Sequence, residues 1–404
     1  MRVVVVSTFY PNAFQPLRTL FVRNLVVALA DYATVTVVAP LPYAPPLLRN
    51  PSWGALRAVA HVEERDGLQV NHPRFVALPG IEALNGATFA LAILPILRSL
   101  QRTAQIDVVH AHCAYPDAVG VAIACAWLDL PFVVTAHGSD INVYANKHLI
   151  RRQLRWALRR AKAVIAVSAP LGRKLLAVVP EIGARLERIA CAGVDPTIFH
   201  AMNRASVRRE LSLPEAARVV LFVGQLVPIK RLDLLLAAWR GLLRDARIGR
   251  DDRLLLIGEG PLRAPLELQA SADDFGGSVC FLGGRPQVEV ARWVSAADLL
   301  CLPSDNEGTP NVIVEALASG RPVVATAVGG IPELVIPNVN GVLVLPGDAP
   351  GLQAGLAAAL VQKWDAAQIA ATVSGYTWQA LAQSNFALLT RVVAESSQVK
   401  HAPD

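Results

Sequence analysis

Cysteine is scarce in this chain and shows no pattern of a disulfide or a metal site. The 404 residues contain five cysteines, and no two of them form a C-x-x-C pair. An odd number without paired spacing argues against a disulfide framework and against a zinc cluster. We therefore expect a cytoplasmic protein without a bound metal.

Long apolar runs are missing as well. Although 53% of the residues are hydrophobic, no stretch reaches the roughly 20 uncharged apolar residues that a membrane-spanning helix needs. The opening "MRVVVVSTFYPN" has too short an apolar region for a secretory signal and resembles a first buried strand. The sequence predicts a soluble or surface-bound protein.

A dinucleotide-binding motif is also absent, although the chain has the pattern of a doubly wound protein. Strand-like apolar runs alternate with helix-length segments, which is typical of parallel sheets flanked by helices. The pattern runs from "RVVVVS" to "AVIAVS" and restarts at "ARVVLFVGQL" (217–226). Neither first strand leads into G-x-G-x-x-G, which argues against a dinucleotide-dependent oxidoreductase.

This repetition and the chain length predict two α/β domains, each a doubly wound parallel sheet. We place the first domain at 1–200 and the second at 201–375, with a linker near 195–210. Residues 376–404 are expected to form a C-terminal helix that crosses back to the first domain, followed by a tail.

Charge is unevenly distributed between the two halves. Residues 1–200 hold 20 Lys and Arg against 12 Asp and Glu, whereas residues 201–404 hold 18 against 20. Much of the excess lies in the helix-like stretch 147–163, and Arg98 and Arg102 follow the apolar run 87–97. These segments suit an anionic membrane surface. The alternative is a core helix at 87–97 with solvated arginines.

The stretch "SDNEGTPNVIVEALASG" (304–320) carries two carboxylates, Glu307 and Glu315, at the end of a predicted strand. Ligands of open parallel sheets bind at the carboxyl ends of the strands. The helix start after Pro310 offers free N–H groups to phosphate, and carboxylates accept hydrogen bonds from sugar hydroxyls. An acid on each side of an anion-binding helix start fits a nucleotide-sugar.

"EGTPNVIVE" resembles the E-x7-E signature of glycosyltransferase family 4, whose members are retaining enzymes of the GT-B fold. The resemblance extends over nearly the whole chain. It implies two Rossmann-like domains facing a cleft, the acceptor side in the first and the donor site in the second. It also implies that Glu307 lies near the hydroxyls of the transferred sugar and that Glu315 binds the ribose.

Further matches imply the rest of the donor site. "FVGQLVPIKRLDLLLAAW" resembles the family's phosphate-binding segment, in which Lys230 matches the phosphate lysine. Gln225 stands where an Arg is usual, which weakens the clamp on the pyrophosphate. Arg231 stands where a Gly is common and is a candidate to compensate. The remaining donor residues implied are Gly224, Gly308, Thr309, Asn311, Glu259 in "LIGEGP" and Arg285.

"TAHGSDIN" resembles the family's H-G-x-D loop and implies that His137 contacts the donor sugar, with Asp140 positioning it or capping the next helix. His110 and His112 fall on one strand face by the period of two. Two histidines at that spacing also suit a metal, an alternative that lacks an adjacent carboxylate. The first loop has no Gly-Gly, and Arg18 in it is a candidate source of positive charge.

These matches predict a glycosyltransferase that moves a sugar from a nucleotide-diphosphate sugar, UDP- or GDP-linked, to a glycan or lipid-linked acceptor. Without a D-x-D motif after a strand, no divalent ion or other cofactor is expected, and no nucleic-acid partner. We expect a role in cell-surface polysaccharide synthesis, in the cytoplasm or at the inner face of the plasma membrane. The alternatives are a GT-B sugar-nucleotide epimerase and a non-catalytic sugar-nucleotide-binding relative.

Overall fold

Contacts in the computed structural model, which describes residues 1–16, 19–43, 55–77, 80–271 and 273–400, divide the chain into two compact units. The first unit comprises Met1–Cys191 and Trp378–Asp404, and the second comprises Ala192–Thr377. The chain thus returns to the first unit at its last helix.

The strands of the first unit are β1 Arg2–Val6, β2 Thr34–Val38, β3 Leu41–Tyr43, β4 Val62–Arg65, β5 Leu68–Asn71, β6 Arg74–Val76, β7 Val108–His112, β8 Phe132–Ala136, β9 Ala163–Ala166 and β10 Leu186–Arg188. Eight of them form one sheet in the order β10-β9-β8-β7-β1-β2-β5-β4, and β3 pairs with β6. All neighbours are parallel except β4 and β5, which are antiparallel.

The helices described in the first unit are α1 Leu20–Leu29, α2 Asn85–Thr103, α3 Val119–Leu128, α4 Ser139–Asn142, α5 His148–Arg160, α6 Ala169–Val178 and, from the end of the chain, α15 Trp378–Lys400. Short helical turns cover Ala55–Ala58, Glu82–Leu84, Ala114–Ala118 and Pro180–Arg185.

The valine run of β1 explains why this strand lies in the middle of the sheet. Val4 and Val6 belong to one apolar cluster, and Val3 and Val5 belong to another. Successive side chains of a strand point to opposite faces, so an uninterrupted apolar run suits a strand covered on both sides. The second cluster also contains Trp378 and other residues of α15, which packs against α1.

The strands of the second unit are β11 Val219–Val223, β12 Arg253–Ile257, β13 Val279–Gly283, β14 Leu299–Leu302, β15 Val323–Thr326 and β16 Gly341–Val344. They form one parallel sheet in the order β13-β12-β11-β14-β15-β16. Its helices are α7 Arg204–Glu210, α8 Leu232–Arg244, α9 Arg263–Ala270, α10 Gln287–Ala296, α11 Asn311–Ala318, α12 Ile331–Leu334, α13 Ala349–Val361 and α14 Ala366–Ala371, with helical turns at Pro228–Lys230 and Asp273–Phe275.

The structure corrects the predicted linker. The first segment of the first unit ends at Cys191 rather than near residue 200, and α7, which lies in the predicted linker, belongs to the second unit. Its Arg208 is buried, donates to the carbonyl of Ala217 at 2.7 Å and pairs with Asp298 at 2.9 Å. The charged segment that the sequence predicted to be a linker therefore includes a helix, α7, that is fixed to the second unit by these contacts of Arg208.

The apolar segment 87–97 forms part of a core helix. By length and composition alone, the helical stretch Glu82–Thr103 is able to cross a membrane, which the sequence analysis did not anticipate. One face of it, including Phe89, Ile93 and Leu97, is buried in the core of the first unit. The packing of α2 against α3 supports the alternative of an ordinary core helix for this segment.

Candidate active site

The loops that follow β11 and β12 lie in direct backbone contact at the carboxyl edge of the second sheet. A Cβ atom on Gly258 would lie 1.9 Å from the carbonyl oxygen of Gly224. The φ of Gly258 is +143°, which disfavours other residues. These two glycines let the strand-end loops approach closely where ligands bind in such sheets.

Lys230 and Glu307 form an ion pair at this edge. Lys230 Nζ lies 2.5 Å from Glu307 Oε1, and Ser304 Oγ donates to the same oxygen at 2.6 Å. The side chains of Lys230 and Glu307 are 20% and 11% exposed. The backbone N–H of Asp305 donates to the carbonyl of Ile229 at 2.9 Å and ties the two loops together. The two residues that the sequence assigned to phosphate and sugar are thus direct partners.

The loop after β15 supports the backbone of Glu307. Gly330 N–H donates to the carbonyl of Gly308 at 2.7 Å. A Cβ atom on Gly329, whose φ is +55°, would lie 1.9 Å from the carbonyl oxygen of Glu307. These two glycines therefore hold the Glu307 loop in place.

We predict that Gly329→Ala displaces this loop. The substitution places an alanine in the left-handed region and brings its methyl group against the carbonyl oxygen of Glu307. The free energy of unfolding therefore falls by about 2 kcal/mol or more. Gly347→Ala is the matched control, because Gly347 has φ +78° but open space around its Cβ position. Denaturant unfolding of both variants measures the difference. Equal losses would show that the contact with Glu307 contributes nothing.

Glu315 is buried on α11. Glu315 is 8% exposed. Burial raises the pKa of its carboxyl to about 7, although a hydrogen bond with Gln287 lowers this pKa and offsets part of the rise. Asn311, one turn earlier on the helix, has a buried Oδ1 without a hydrogen-bond partner among the described residues. Gln287 was missed by sequence reasoning, since only the fold brings the start of α10 to α11.

Arg231 is paired with two carboxylates. Its guanidinium pairs with Asp233 at 3.0 Å and with Asp305 at 3.1 Å. Its φ of +50° is left-handed, which explains in physical terms why a glycine suits this position. The side chain of Gln225 is exposed. That Arg231 compensates for Gln225 stays a prediction, in which Arg231 would exchange these carboxylates for the diphosphate.

Glu259 links two strand-end loops. Its Oε1 accepts from Arg263 Nη1 at 2.6 Å and from the backbone N–H of Gly284 at 3.2 Å. Hydrogen bonds from Arg263 and then Gly284 lower the pKa of this carboxyl. Arg285 precedes α10 and is exposed, and its Nη1 lies 3.6 Å from Oε2 of Glu289 on that helix. Glu259 thus orders the loop that carries Arg285. The guanidinium of Arg285 lies beside Glu289 in the first turn of α10.

In the first unit, His137 and Asp140 follow β8, and Asp140 organises the backbone around His137. The buried carboxylate of Asp140 accepts from the N–H groups of Gly138 at 2.8 Å, Ile141 at 3.0 Å and His137 at 3.2 Å. It also accepts from Ala114 N–H at 2.6 Å. Asp140 therefore holds the loop that carries His137, and it lies inside α4 rather than before its first residue, where a helix cap would stand.

Three histidine rings lie in one buried cluster. His110 and His112 are 4.2 Å apart between ring centroids, and His112 and His137 are 5.5 Å apart. Burial lowers the pKa of His137 to about 4 and that of His110 to about 3, and it also lowers the pKa of His112. Within the described ranges, no group of three or more His, Cys, Asp or Glu side chains is arranged to hold a metal ion.

Sequence reasoning missed the neighbours of His137. Phe9 and Phe21 contact its ring at centroid distances of 5.9 and 5.1 Å. Their only signal in the sequence was their position after β1, where the first loop begins. Arg18 of that loop lies outside the described residues.

Comparisons with known proteins identify the family. Patterns described as "Glycosyltransferase Family 4" and "Glycosyl transferases group 1" match residues 19–197 and 217–362. A D-inositol 3-phosphate glycosyltransferase of Frankia alni is 33% identical over 298 residues, covering 69% of this chain and 72% of that protein. The chain is a family 4 glycosyltransferase. A putative teichuronic acid biosynthesis glycosyltransferase of Bacillus subtilis, TuaC, is 28% identical, with 83% of each chain covered.

Solved structures of other proteins have the same fold as this glycosyltransferase. Sucrose-phosphate synthase of Thermosynechococcus elongatus has a TM-score of 0.74 at 21% identity, with 98% of this chain and 100% of that chain covered. HepE of Anabaena, solved with UDP, has a TM-score of 0.68 at 21% identity, with 100% of both chains covered. The prediction of a GT-B protein with two Rossmann-like units is confirmed, as is its class, a transferase acting on glycosyl groups.

Proposed function

We propose that this glycosyltransferase is a retaining enzyme that moves a sugar from a UDP- or GDP-sugar to a hydroxyl of a glycan or lipid-linked acceptor of the cell surface. The observation that carries the proposal is the Lys230–Glu307 pair at the carboxyl edge of the second sheet. A cation for the diphosphate and an acid for sugar hydroxyls stand side by side there. Two relatives support it: HepE was solved with UDP-glucose, and TuaC is named for teichuronic acid synthesis.

The proposed chemistry depends on charge stabilisation by the protein. Negative charge builds on the leaving phosphate during transfer, and Lys230 with the first N–H groups of α11 stabilises it. Glu307 accepts hydrogen bonds from the transferred sugar and Glu315 from the ribose. The acceptor hydroxyl attacks on the face that the nucleotide leaves, and a phosphate oxygen takes its proton.

In this scheme no metal ion or other cofactor takes part. We predict that EDTA leaves the rate of transfer unchanged, since Lys230 and backbone N–H groups take the place of a bound cation. Initial rates with and without EDTA, followed by addition of excess Mg²⁺, measure this. A loss that Mg²⁺ restores would contradict the scheme.

Assays of product separate this function from the two alternatives. A retaining transferase gives a glycosylated acceptor with the donor's anomeric configuration, which NMR of the product reads directly. An epimerase converts donor without acceptor, and a non-catalytic relative binds donor without turnover. Inverted product, or conversion of donor alone, would overturn the proposal.

We also propose that the first unit binds an anionic membrane surface. Exposed apolar side chains lie near the starts of α2 and α5, namely Ile81, Leu84, Val143 and Leu149, and Leu91 within 87–97 is exposed as well. Lys147 pairs with Glu82 at 2.7 Å, and Gln153 donates to the carbonyl of Ala83 at 2.8 Å. These contacts join the two helix starts into one surface, which we call the apolar tip.

Positive charge accompanies the apolar tip. α5 buries Ile150 and Leu154 and exposes Arg151 and Arg152. Each basic residue near an anionic surface contributes about 1 kcal/mol, which salt screens. An apolar surface beside basic residues fits a bilayer that presents lipid-linked acceptors.

Vesicle flotation tests the membrane proposal. We predict that the protein floats with anionic vesicles at low salt, and that Leu149→Ser together with Leu84→Ser reduces the floated fraction several-fold. Leu268→Ser is the matched control, because Leu268 is an exposed leucine of the second unit, 76% exposed against 60% for Leu149 and 48% for Leu84. If the protein stays with the soluble fraction on anionic vesicles at low salt, the proposal is wrong and the acceptor is soluble.

A further inference from the structure

His137 makes one contact that the chemistry proposed above does not explain. Its Nε2 lies 3.4 Å from Nδ1 of His112, and both residues are buried, at 8% and 1% exposed. Its other ring nitrogen, Nδ1, is buried and has no hydrogen-bond partner in the described part of the chain. A buried polar atom without a partner has a free-energy cost, so this unpartnered nitrogen calls for a ligand.

The two rings share a single hydrogen. Burial favours the neutral form of both imidazoles, and a neutral imidazole has one N–H donor and one acceptor nitrogen. Two N–H groups or two lone pairs facing each other would repel, so only one of the facing nitrogens carries a hydrogen. The tautomer of His112 therefore determines the tautomer of His137.

Asp140 favours one of the two arrangements. Its carboxylate binds the backbone N–H of His137, and its negative charge favours positive charge on that histidine. Nδ1 is the ring nitrogen closer to the residue's own backbone, to which Asp140 is hydrogen-bonded, so this negative charge favours a hydrogen on Nδ1 over one on Nε2. Nε2 is then the acceptor, and His112 Nδ1–H is the donor.

We propose that His112 is a positioning residue, which donates to His137 Nε2 and so leaves His137 with an Nδ1–H directed at an oxygen of the bound sugar. The idea rests on the proposed function for its ligand, a hydroxylated sugar. His110, the third ring of the cluster, takes no part in the hydrogen bond between His112 and His137, since its Nε2 lies 2.8 Å from Thr135 Oγ1.

The first test reads the tautomers directly in the ligand-free full chain. Long-range ¹H–¹⁵N spectra of protein labelled at its eight histidines are assigned by the loss of a signal in His137→Asn. We expect His137 to carry its hydrogen on Nδ1. In His112→Phe the donor is gone, and the His137 signal shifts toward the Nε2–H form. His112→Asn restores the Nδ1–H form, because the Asn amide nitrogen occupies the position of Nδ1.

His110→Gln is the matched control, since it changes the neighbouring buried histidine but keeps an amide nitrogen at the position that faces Thr135. It should leave the His137 signal in the Nδ1–H form. An Nε2–H form of His137 in the unmodified protein, which needs no variant to fold, would overturn the proposal. An unchanged His137 signal in His112→Phe would do so too.

Kinetics supply the second test. We expect His112→Phe to lower kcat about tenfold, because one correctly oriented hydrogen bond to the transition state is lost. The donor KM and the affinity for UDP or GDP should stay within twofold of the values of the unmodified protein. His112→Asn should recover kcat to within about threefold. An unchanged kcat despite a shifted tautomer would contradict the positioning role. If no nucleotide-sugar is turned over at all, the proposed function fails, while the spectra still decide the tautomer.

Discussion

Glu307→Gln is expected to remove most transfer and yet tighten the binding of the free nucleoside diphosphate. In the ligand-free protein Lys230 lies 2.5 Å from the Glu307 carboxylate, so a diphosphate has to compete with this carboxylate for the lysine. A neutral amide competes less, and we predict UDP or GDP binding about fivefold tighter, a gain of about 1 kcal/mol. Transfer falls because the sugar loses a charged acceptor, which is worth about 1.5–3 kcal/mol.

Two variants make this prediction specific. In the double variant Glu307→Gln with Lys230→Met, the gain in diphosphate affinity should disappear, because the lysine that was freed is absent. Glu315→Gln should also abolish most transfer but weaken nucleotide binding, since Glu315 is assigned to the ribose. Calorimetry with UDP and GDP measures all three. Weaker diphosphate binding in Glu307→Gln would show that the ion pair does not oppose donor binding.

Lys230→Ala should slow transfer far more than it weakens donor binding. In the ground state Lys230 exchanges one anion, Glu307, for another, the diphosphate, so its net contribution to binding is small. In the transition state extra negative charge develops on the leaving phosphate, and only then does the lysine gain. We expect kcat to fall by about 10²–10³, with a change of only a few-fold in donor affinity.

Arg231→Gly is the matched control for Lys230→Ala. It also removes one positive charge from the same loop, but from a guanidinium already paired with Asp233 and Asp305, and glycine suits the left-handed backbone there. Steady-state kinetics should show little change in kcat for this variant. Equal losses of kcat and affinity in Lys230→Ala would argue against its role in the transition state.

The sequence predicted those strands correctly whose side chains are almost all apolar. The buried runs of β1, β9 and β11 were recognised because covered parallel strands are nearly all apolar. Three edge or short strands were not predicted: β3 contains Pro42, β4 reads "VEER", and β10 has three residues. Such strands depend on tertiary pairing more than on their own composition.

The candidate site was predictable residue by residue, but its contacts were not. The motifs indicated Lys230 and Glu307 separately, and nothing in a sequence shows that residues 77 positions apart share a hydrogen bond. The left-handed backbone of Arg231 was hidden, because a non-glycine residue stands there. The period of two placed His110 and His112 on one face, while the approach of His137 depends on the pairing of β7 with β8.

A thermal-shift screen of nucleotide-sugars on the unmodified protein and on Glu315→Gln tests the central claim most directly. A ligand that binds the native state and not the unfolded chain stabilises the protein by RT ln(1 + [L]/Kd), so at a fixed concentration a tighter ligand raises the melting temperature more. The account predicts that at least one UDP- or GDP-sugar raises the melting temperature of the unmodified protein, and that this shift is largely lost in Glu315→Gln. A protein that no nucleotide-sugar stabilises, or an equal shift in the variant, would contradict the assignment of the donor site.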